Sequence, residues 1–279
     1  GKHIYMIGIG GVSMSGIADI LINMGYKVSG SDRVNSVITD KLKENGIQVY
    51  VPQSKNNITD DIDFLVYTAI ILNIDNDHLD YFKNLENIKK SFNKYVSHLP
   101  NDGYLVINND DKNSSELKDN TSAKVVTYGI NNDSDYMATD IAYDDEGCAR
   151  FNVINDGNNL GRIELSVPGE HNVLNALSAI ALASSYDISF EDIKKGIKKY
   201  KGASRRLEYK GKFKGACVYD DYGHHPTEIM ATSNAIHKKQ YNESWVIFEA
   251  HTYSRAYKHK DDFAKALKNF DHIIVTDIY

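Results

Sequence analysis

The chain has 279 residues, of which 42% are hydrophobic and 25% are charged, and its formal net charge at pH 7 is −6. This length exceeds what one hydrophobic core usually covers, so we expect about two to three globular domains. The net charge is negative and the sequence has no cluster of basic residues, which argues against nucleic-acid binding. No run of about 18 apolar residues occurs, which argues against a membrane span. The two cysteines, Cys148 and Cys217, fit no disulfide framework, which predicts a reducing compartment and a cytoplasmic location.

The N-terminal segment predicts a βαβ unit. The apolar segment His3–Ile7 reads as a buried strand that breaks into a glycine turn at residues 8–13, and apolar residues at helical spacing follow. A second strand is expected over residues 26–29, and Asp32 follows it, about 20 residues after the glycines. Backbone N–H groups of such a turn can face a pyrophosphate. Ser13 stands where the strict dinucleotide fingerprint has glycine, so a plain tight turn stays open, as does a helix N-cap role for Asp32.

The junction between the first two regions is unusual. A predicted strand over residues 63–68 is followed directly by another over residues 70–74, whereas neighbouring parallel strands need a crossover of about a dozen residues or more. We therefore expect a missing segment at the junction of Ala69 and Ile70. Beyond it we expect a second α/β domain, with a helix over 85–95, strands over 104–108 and 124–128, an antiparallel stretch over 137–165, and helices over 172–185 and 190–200.

A third region is expected to begin near Arg205. Strands predicted over residues 217–220, 245–249 and 272–276 alternate with helices over 227–238 and 260–269, which favours one parallel, doubly wound sheet. Because three strands make a thin sheet, we expect this domain to be incomplete.

Polar residues beside these elements are candidates for chemistry. The acids and the histidine of residues 75–80 follow a buried strand directly, which is typical either of a magnesium site or of a solvated, capped turn. Asn172 and Asn175 share one helix face, and amides at this spacing can hold both the donor and the acceptor edge of a base. Arg205 and Arg206 can clamp phosphate oxygens, although paired arginines are usually solvated.

The densest polar string runs from Asp220 to Glu228, between a strand and a helix. His224 and His225 suggest zinc, yet adjacent histidines point in different directions and no third ligand follows at zinc spacing. Contact with a phosphate or a substrate is therefore the better hypothesis. Residues 251–255 follow the next strand in the same way, so two polar loops are expected at one sheet edge.

Taken together, these motifs resemble the Mur ligase family over essentially the whole chain. The motifs that carry the resemblance are residues 8–16, 30–32, 73–80, 168–176 and 220–228. The resemblance implies a three-domain α/β architecture: a Rossmann-like UDP-binding domain over residues 1–69, an incomplete central ATP-binding domain over 70–203, and an incomplete C-terminal Rossmann-like domain over 204–279.

The resemblance also implies an activity, ATP-dependent amide-bond formation in peptidoglycan precursor synthesis. A carboxylate of UDP-N-acetylmuramate takes the γ-phosphate of ATP, and the amine of L-alanine attacks the resulting acyl phosphate. The implied cofactors are ATP and Mg²⁺, the implied partners are these small-molecule substrates, and the implied assembly is a monomer or a homodimer. Magnesium and basic groups would neutralise the phosphates.

By the same resemblance, individual residues receive roles. The residues implied to contact the UDP diphosphate are Gly10, Gly11, Ser13, Met14 and Ser15. Asp32 is implied to lie on the uridine side, and His78 to bind a magnesium ion. The residues implied to contact ATP are Asn172, Asn175, Arg206 and Asp221. Tyr222 and Tyr253 are implied to make other substrate contacts, and His224, His225 and Arg255 to make the catalytic contacts.

One departure from the family pattern bears on function. The family's glycine-rich P-loop ending in Gly-Lys-Thr is absent, as is the glutamate of its magnesium site, and both losses fall at the junction of Ala69 and Ile70. Either a segment is omitted there or the chain carries a true deletion. Three alternatives to the ligase therefore stay open: a tripeptide-recycling relative, against which Met14 and its neighbours argue, a non-catalytic UDP-sugar binding protein, and a dinucleotide oxidoreductase resting on the first βαβ unit alone.

Overall fold

The computed structural model describes residues 2–23, 25–62, 64–66 and 68–278. The first region folds around a parallel sheet with the strand order β3-β2-β1-β4. Met6, Ile9 and Leu42 lie buried in its core. The predicted βαβ unit is confirmed, and the glycine turn connects the first strand to the first helix. The elements are β1 (His3–Ile7), α1 (Val12–Asn23), β2 (Lys27–Ser31), α2 (Val37–Glu44), β3 (Gln48–Tyr50) and β4 (Phe64–Val66).

The second region contains a six-stranded sheet in the order β10-β9-β8-β7-β6-β5. Strands β5 to β8 run parallel to one another, and β8, β9 and β10 pair antiparallel, as predicted for residues 137–165. The strands are β5 (Thr68–Ile71), β6 (Tyr104–Asn108), β7 (Lys124–Gly129), β8 (Tyr136–Tyr143), β9 (Cys148–Asn155) and β10 (Asn158–Pro168). The helices are α3 (Leu79–Phe82), α4 (Leu85–Val96), α5 (Lys112–Ser115), α6 (Glu170–Ser185) and α7 (Phe190–Lys199).

The main core of the second region lies between the sheet and α6. Phe151 on β9 and Leu177 on α6 are fully buried in it. Helix α7 is amphipathic, and it buries Ile193 and Ile197, four residues apart on one face, in the same core. None of the helices in the described part of the chain combines the length and the apolar character needed to cross a bilayer.

The third region differs from the predicted single sheet. Its elements are β11 (Glu208–Phe213), β12 (Ala216–Asp220), α8 (Pro226–Ile236), β13 (Trp245–Phe248), α9 (Tyr253–Lys258), α10 (Lys260–Leu267) and β14 (His272–Val275). The strand predicted at 217–220 pairs antiparallel with β11, a strand the sequence pattern did not reveal, because its side chains are mostly exposed and lack an apolar alternation. The other two predicted strands, β13 and β14, form a parallel pair of their own.

The strand argument for a gap at the junction between the first two regions requires a correction, because Ala69 and Ile70 both lie inside β5. Strand β4 pairs with β1 in the first sheet, and β5 pairs with β6 in the second. Because the two strands belong to different sheets, the crossover that neighbouring parallel strands need is not required here. The direct succession of two strands is therefore compatible with the fold.

Candidate functional site

The glycine turn between β1 and α1 is closed by hydrogen bonds within the first region. The amides of Gly8 and Ile9 donate to the carbonyl of Ser31, at 2.8 and 3.2 Å. The amide of Gly10 donates to Oδ2 of Asp32 at 2.8 Å. A Cβ added to Gly10 would lie 2.7 Å from that carboxylate oxygen, so the turn and the acid approach each other more closely than a side chain would allow. Asp32 therefore holds the turn that the sequence assigns to a diphosphate.

The other residues predicted to contact UDP lie in or next to this turn. The amide of Ser15 donates to the carbonyl of Gly11 at 2.8 Å, which starts the hydrogen bonding of α1. Met14 packs against the apolar core of the first region. The side chain of Ser13 lies outside the part of the chain that the structure describes. The amide of Gly11 donates to the carbonyl of Gly8 at 3.0 Å, so the turn is closed on itself where it leads into the helix N-terminus, the kind of position at which anions bind.

The acidic segment, residues 75–80, runs from the end of β5 into α3 and contacts the third region. Its carboxylates accept hydrogen bonds from three side chains of that region: Thr227 donates to Asp75 (2.6 Å), Arg255 to Asp77 (3.0 and 3.2 Å from Nη2 and Nε), and Ser254 to Asp80 (2.8 Å). The acidic segment is therefore a contact between regions and not a purely solvated turn.

Arg255 and Asp77 form the most shielded of these contacts, because their side chains are only 14% and 29% exposed. Burial raises the pKa of Asp77, but hydrogen bonds from the His78 amide and from Arg255 outweigh it and leave the pKa below its ordinary value. The carboxylate is thus ionised at neutral pH. His78 adopts a left-handed conformation (φ 52°), and its Nε2 lies 3.5 Å from Asp77 Oδ2.

His225 is buried and caps α8. Its Nδ1 accepts a hydrogen bond from the Thr227 amide at 3.4 Å, and its Nε2 lies 3.2 Å from the carbonyl of Asn76. Because a carbonyl only accepts, Nε2 carries the proton and Nδ1 the lone pair. The carboxylate of Glu228 completes the cap by accepting from the amides of His224 and His225, at 2.9 and 3.2 Å. These residues, with Pro226 at the first helical position, therefore also serve as a helix start signal.

A cavity of about 300 Å³ opens beside the acidic segment. Its lining brings together His78, Arg255 and Asp77 with two residues that the sequence reasoning did not select, Lys258 and His259. The ring of His259 packs edge-on against His225 at 5.1 Å between centroids. Lys258 is the last residue of α9 and His259 follows it directly. No apolar periodicity in the sequence predicted α9.

Glu228 also receives the side chain of Arg206, whose Nη1 lies 3.0 Å from Oε1. The carboxylate of Asp221 accepts from the amides of Gly223 (2.7 Å) and Leu207 (2.8 Å), so both of its oxygens are engaged by backbone. Tyr222 is half exposed, and the guanidinium of Arg205 lies 4.8 Å above its ring.

The remaining predicted residues are two amides on α6 and one tyrosine at the start of α9. Asn172 donates to the carbonyl of Pro168 at 2.8 Å, and Asn175 donates to Asn172 at 3.1 Å, so the two amides form one hydrogen-bonded pair on α6. Tyr253 is 72% exposed at the start of α9, beside the Ser254 that contacts the acidic segment. The structure therefore brings His78, His225 and Arg255 around one contact between the second and third regions, whereas the glycine turn belongs to the first sheet.

The donor set does not complete a magnesium site. Among the described residues, no group of three or more histidine, cysteine, aspartate or glutamate side chains is arranged to hold a metal ion. Arg255 and Ser254 already engage carboxylates of the acidic segment, and His78 is 70% exposed. Mg²⁺ is usually bound through one or two carboxylates together with substrate phosphates, so the segment supplies at most part of such a set.

Two protein-family models match the chain. The Mur ligase middle domain matches residues 42–183, and the Mur ligase, glutamate ligase domain matches residues 205–278. The UDP-N-acetylmuramate–L-alanine ligases of Clostridium botulinum (strain Hall) and Clostridium acetobutylicum are 34% and 35% identical to this chain, over alignments that cover 100% of it and 83% of each relative. The first alignment runs over 383 positions, 104 more than the chain has residues, so the chain lacks residues that this relative carries.

Solved structures resemble the whole fold. A UDP-N-acetylmuramate–alanine ligase from Thermotoga maritima superimposes with a TM-score of 0.62 at 21% identity, covering 100% of this chain and 86% of its own. MurF from Acinetobacter baumannii gives a TM-score of 0.74 at 23% identity, covering 98% of this chain and 63% of its own. At these identities the likeness shows the fold alone, and it confirms the predicted α/β class.

Proposed function

The chain belongs to the Mur ligase family, and on that premise we propose that it is an ATP-dependent ligase that joins L-alanine to UDP-N-acetylmuramate in peptidoglycan precursor synthesis. One observation carries the proposal: the whole chain is 33–35% identical to proteins that bear this name. We further propose the division predicted from the sequence, with residues 1–69 binding the UDP moiety, 70–203 forming the central domain and 204–279 the C-terminal domain. The cytoplasm is the proposed compartment, because Cys148 and Cys217 are both free thiols.

Within this proposal, the two polar regions have separate tasks. The glycine turn at the start of α1 lies against the diphosphate, and its shape is held by two hydrogen bonds, from the Gly10 amide to Asp32 and from the Gly11 amide to the carbonyl of Gly8. His225 and Arg255 hold the third region against the acidic segment, which orients the groups around the cavity and limits the access of water. The tautomer of His225, with its proton on Nε2, is held by the Asn76 carbonyl.

ATP and Mg²⁺ are the cofactors of the proposed reaction, and they supply the phosphoryl group and its charge neutralisation. The residues of this chain do not fit them completely, because the sequence has no Gly-Lys-Thr string and the described residues hold no three-membered metal site.

A second function, binding of UDP-N-acetylmuramate without turnover, is favoured by one specific observation. The chain lacks 104 alignment positions that its Clostridium botulinum relative spans, and Ala69 and Ile70, between which the predicted gap falls, are consecutive residues of β5. The glycine turn of the first region is intact in this chain. Sugar-nucleotide binding can therefore persist where ATP use is lost.

Three measurements separate the two functions. The intact mass of the protein isolated from its natural source is compared with the 31.4 kDa of this sequence, which decides whether a segment is missing. Phosphate release is then followed with ATP, Mg²⁺ and UDP-N-acetylmuramate, with and without L-alanine. Calorimetry with UDP-N-acetylmuramate alone measures binding.

The ligase proposal expects phosphate release that depends on L-alanine and a product heavier by one alanyl residue. Binding of the sugar nucleotide without any such release supports the second function and refutes the first. Absence of both binding and release contradicts both proposals.

A further inference from the structure

The turn between β8 and β9 forms a second contact with the third region, at the opposite end of α8 from the acidic segment. We call this contact, of residues 144–147 with residues 238–240, the hairpin contact. The ammonium of Lys239 donates to the carbonyl of Glu146 at 2.9 Å and to its Oε2 at 2.8 Å. The side chain of Lys239 is only 12% exposed, whereas that of Glu146 is 77% exposed. The buried partner of the pair is therefore the lysine.

Backbone groups reinforce the hairpin contact. The amide of Gln240 donates to the carbonyl of Asp145 at 3.3 Å, and its side chain donates to Asp145 Oδ1 at 3.0 Å. Gly147 has φ +74°, and a Cβ there would lie 3.3 Å from the carbonyl of Ala235 and from the side chains of Lys238 and Lys239. The positive φ and the short distances that a Cβ would have to its neighbours both favour glycine at this position. The hairpin is thus fitted closely against the last turn of α8.

The other end of α8 contacts the acidic segment through side chains. There the contacts with the acidic segment come from the side chains of His225 and Thr227. Helix α8 spans Pro226–Ile236, which makes it about 16 Å long. A tilt of about 4° at one end would therefore shift the other end by about 1 Å, a displacement that can cost a reaction roughly 100-fold.

We propose that Lys239 and Glu146 are positioning residues for the candidate site. By holding the C-terminal end of α8 on the β8–β9 turn, they set the axis of the helix and so the place of His225 and Thr227 against the acidic segment. Their effect on turnover rests on the proposed ligase function, whereas their effect on the position of α8 does not.

The test compares Lys239→Met with Lys265→Met. Methionine keeps the length of the lysine stem but removes every donor to Glu146. Lys265 forms an exposed pair with Asp262 on α10 and serves as the matched control. Hydrogen exchange of residues 72–82 and of the first turn of α8 is measured in each variant, together with the ¹⁵N signals of His225, which report its tautomer.

For Lys239→Met we expect at least fivefold faster exchange in residues 72–82 and loss of the single His225 tautomer. Lys265→Met is expected to leave both unchanged, and Lys239→Arg, which keeps a charged donor, to restore both at least in part. Faster exchange confined to residues 143–148, with residues 72–82 and His225 unchanged, would overturn the proposal. If Lys239→Met does not fold, Glu146→Gln gives the same readout with a smaller expected change, because the bond to the Glu146 carbonyl remains.

Measurements of kcat and KM test whether the hairpin contact affects catalysis. In an active wild type, Lys239→Met is expected to lower kcat about 10-fold or more with a smaller change in KM for UDP-N-acetylmuramate. An unchanged kcat in a variant whose exchange has increased would refute the catalytic consequence. An inactive wild type contradicts the ligase function alone, since the exchange and tautomer measurements still decide the positioning role.

Discussion

The glycine turn and the acidic segment both follow β-strands that run parallel to their neighbours, but their polar groups are satisfied over very different distances along the chain. Asp32 accepts from Gly10, 22 residues away. Asp77 accepts from Arg255, 178 residues away, and Asp75 accepts from Thr227, 152 residues away. The turn is complete within one βαβ unit, whereas the acidic segment needs the third region to pair its charges.

The two kinds of site are sensitive to different substitutions. A site closed by local contacts depends on backbone shape, so the size of a single side chain decides whether it forms. A site closed by contacts between regions depends on charge pairing across an interface, so the loss of one partner leaves the other without compensation. Variants in the two places should therefore fail for different reasons and by different amounts.

The largest effect is expected from Arg255→Met. It leaves the Asp77 carboxylate shielded and without its guanidinium, which we expect to lower the free energy of unfolding by about 2 to 4 kcal/mol. Urea unfolding followed by circular dichroism measures the loss. The control is Lys258→Met, which removes an exposed pair with Asp80 at 3.5 Å and should cost less than about 0.5 kcal/mol. Equal losses in the two variants would contradict the special role of the shielded pair.

The next effect is expected from Gly10→Ala in the glycine turn. The new methyl group would lie 2.7 Å from both Asp32 Oδ2 and Thr39 Cγ2, and Thr39 is fully buried. We expect a loss of about 1 to 3 kcal/mol and weaker binding of UDP-N-acetylmuramate, measured by thermal unfolding and calorimetry. Gly16→Ala, inside α1 with open space around the glycine, should instead stabilise by about 0.5 to 1 kcal/mol. A similar effect of both alanines would show that steric closeness at Gly10 is not the cause.

A smaller effect is expected from Asp32→Asn. The amide side chain still offers an oxygen to the Gly10 amide but no longer carries the charge that strengthens the bond. The expected loss is about 1 kcal/mol, and thermal unfolding at low salt measures it. Asp40→Asn is the matched control, because that carboxylate lies on α2 in an exposed pair with Lys43. A loss for Asp32→Asn no greater than for the control would refute its role in holding the turn.

The smallest effect concerns pH. Burial raises the pKa of Glu228, but hydrogen bonds from the His224 amide and from Arg206 outweigh it, so the pKa lies below its ordinary value of 4.5. A carboxylate with a lowered pKa contributes stability above its ordinary pKa, and that contribution is lost as the pH falls through the folded-state value. Glu228→Gln should therefore remove part of the decline in melting temperature below about pH 4.5. An identical acid decline in wild type and variant would contradict this assignment.

Sequence and structure agree best where the chemistry is local. The βαβ unit was predictable because a strand, a glycine turn, a helix and a second strand follow each other between His3 and Ser31. Strand β11 and helix α9 were not, because β11 is mostly exposed and α9 buries none of its residues, so neither shows an apolar periodicity. The prediction of one parallel sheet in the third region was wrong for the same reason: without β11, the only partners that the sequence offered to the strand at 217–220 were the other two predicted strands.

By itself, the amino-acid sequence determined the α/β class, the glycine turn, the polar strings and the resemblance to the Mur ligases, since each of these depends on residues close together along the chain. Only the tertiary structure decided which strings meet. In the folded protein, the side chains of Thr227, Ser254 and Arg255 contact the acidic segment. Strands β4 and β5 lie in different sheets, and the β8–β9 turn packs against α8. The physical reason is that hydrogen bonds and ion pairs form between groups that are close in space. Local propensity does not encode that closeness when more than a hundred residues separate the partners.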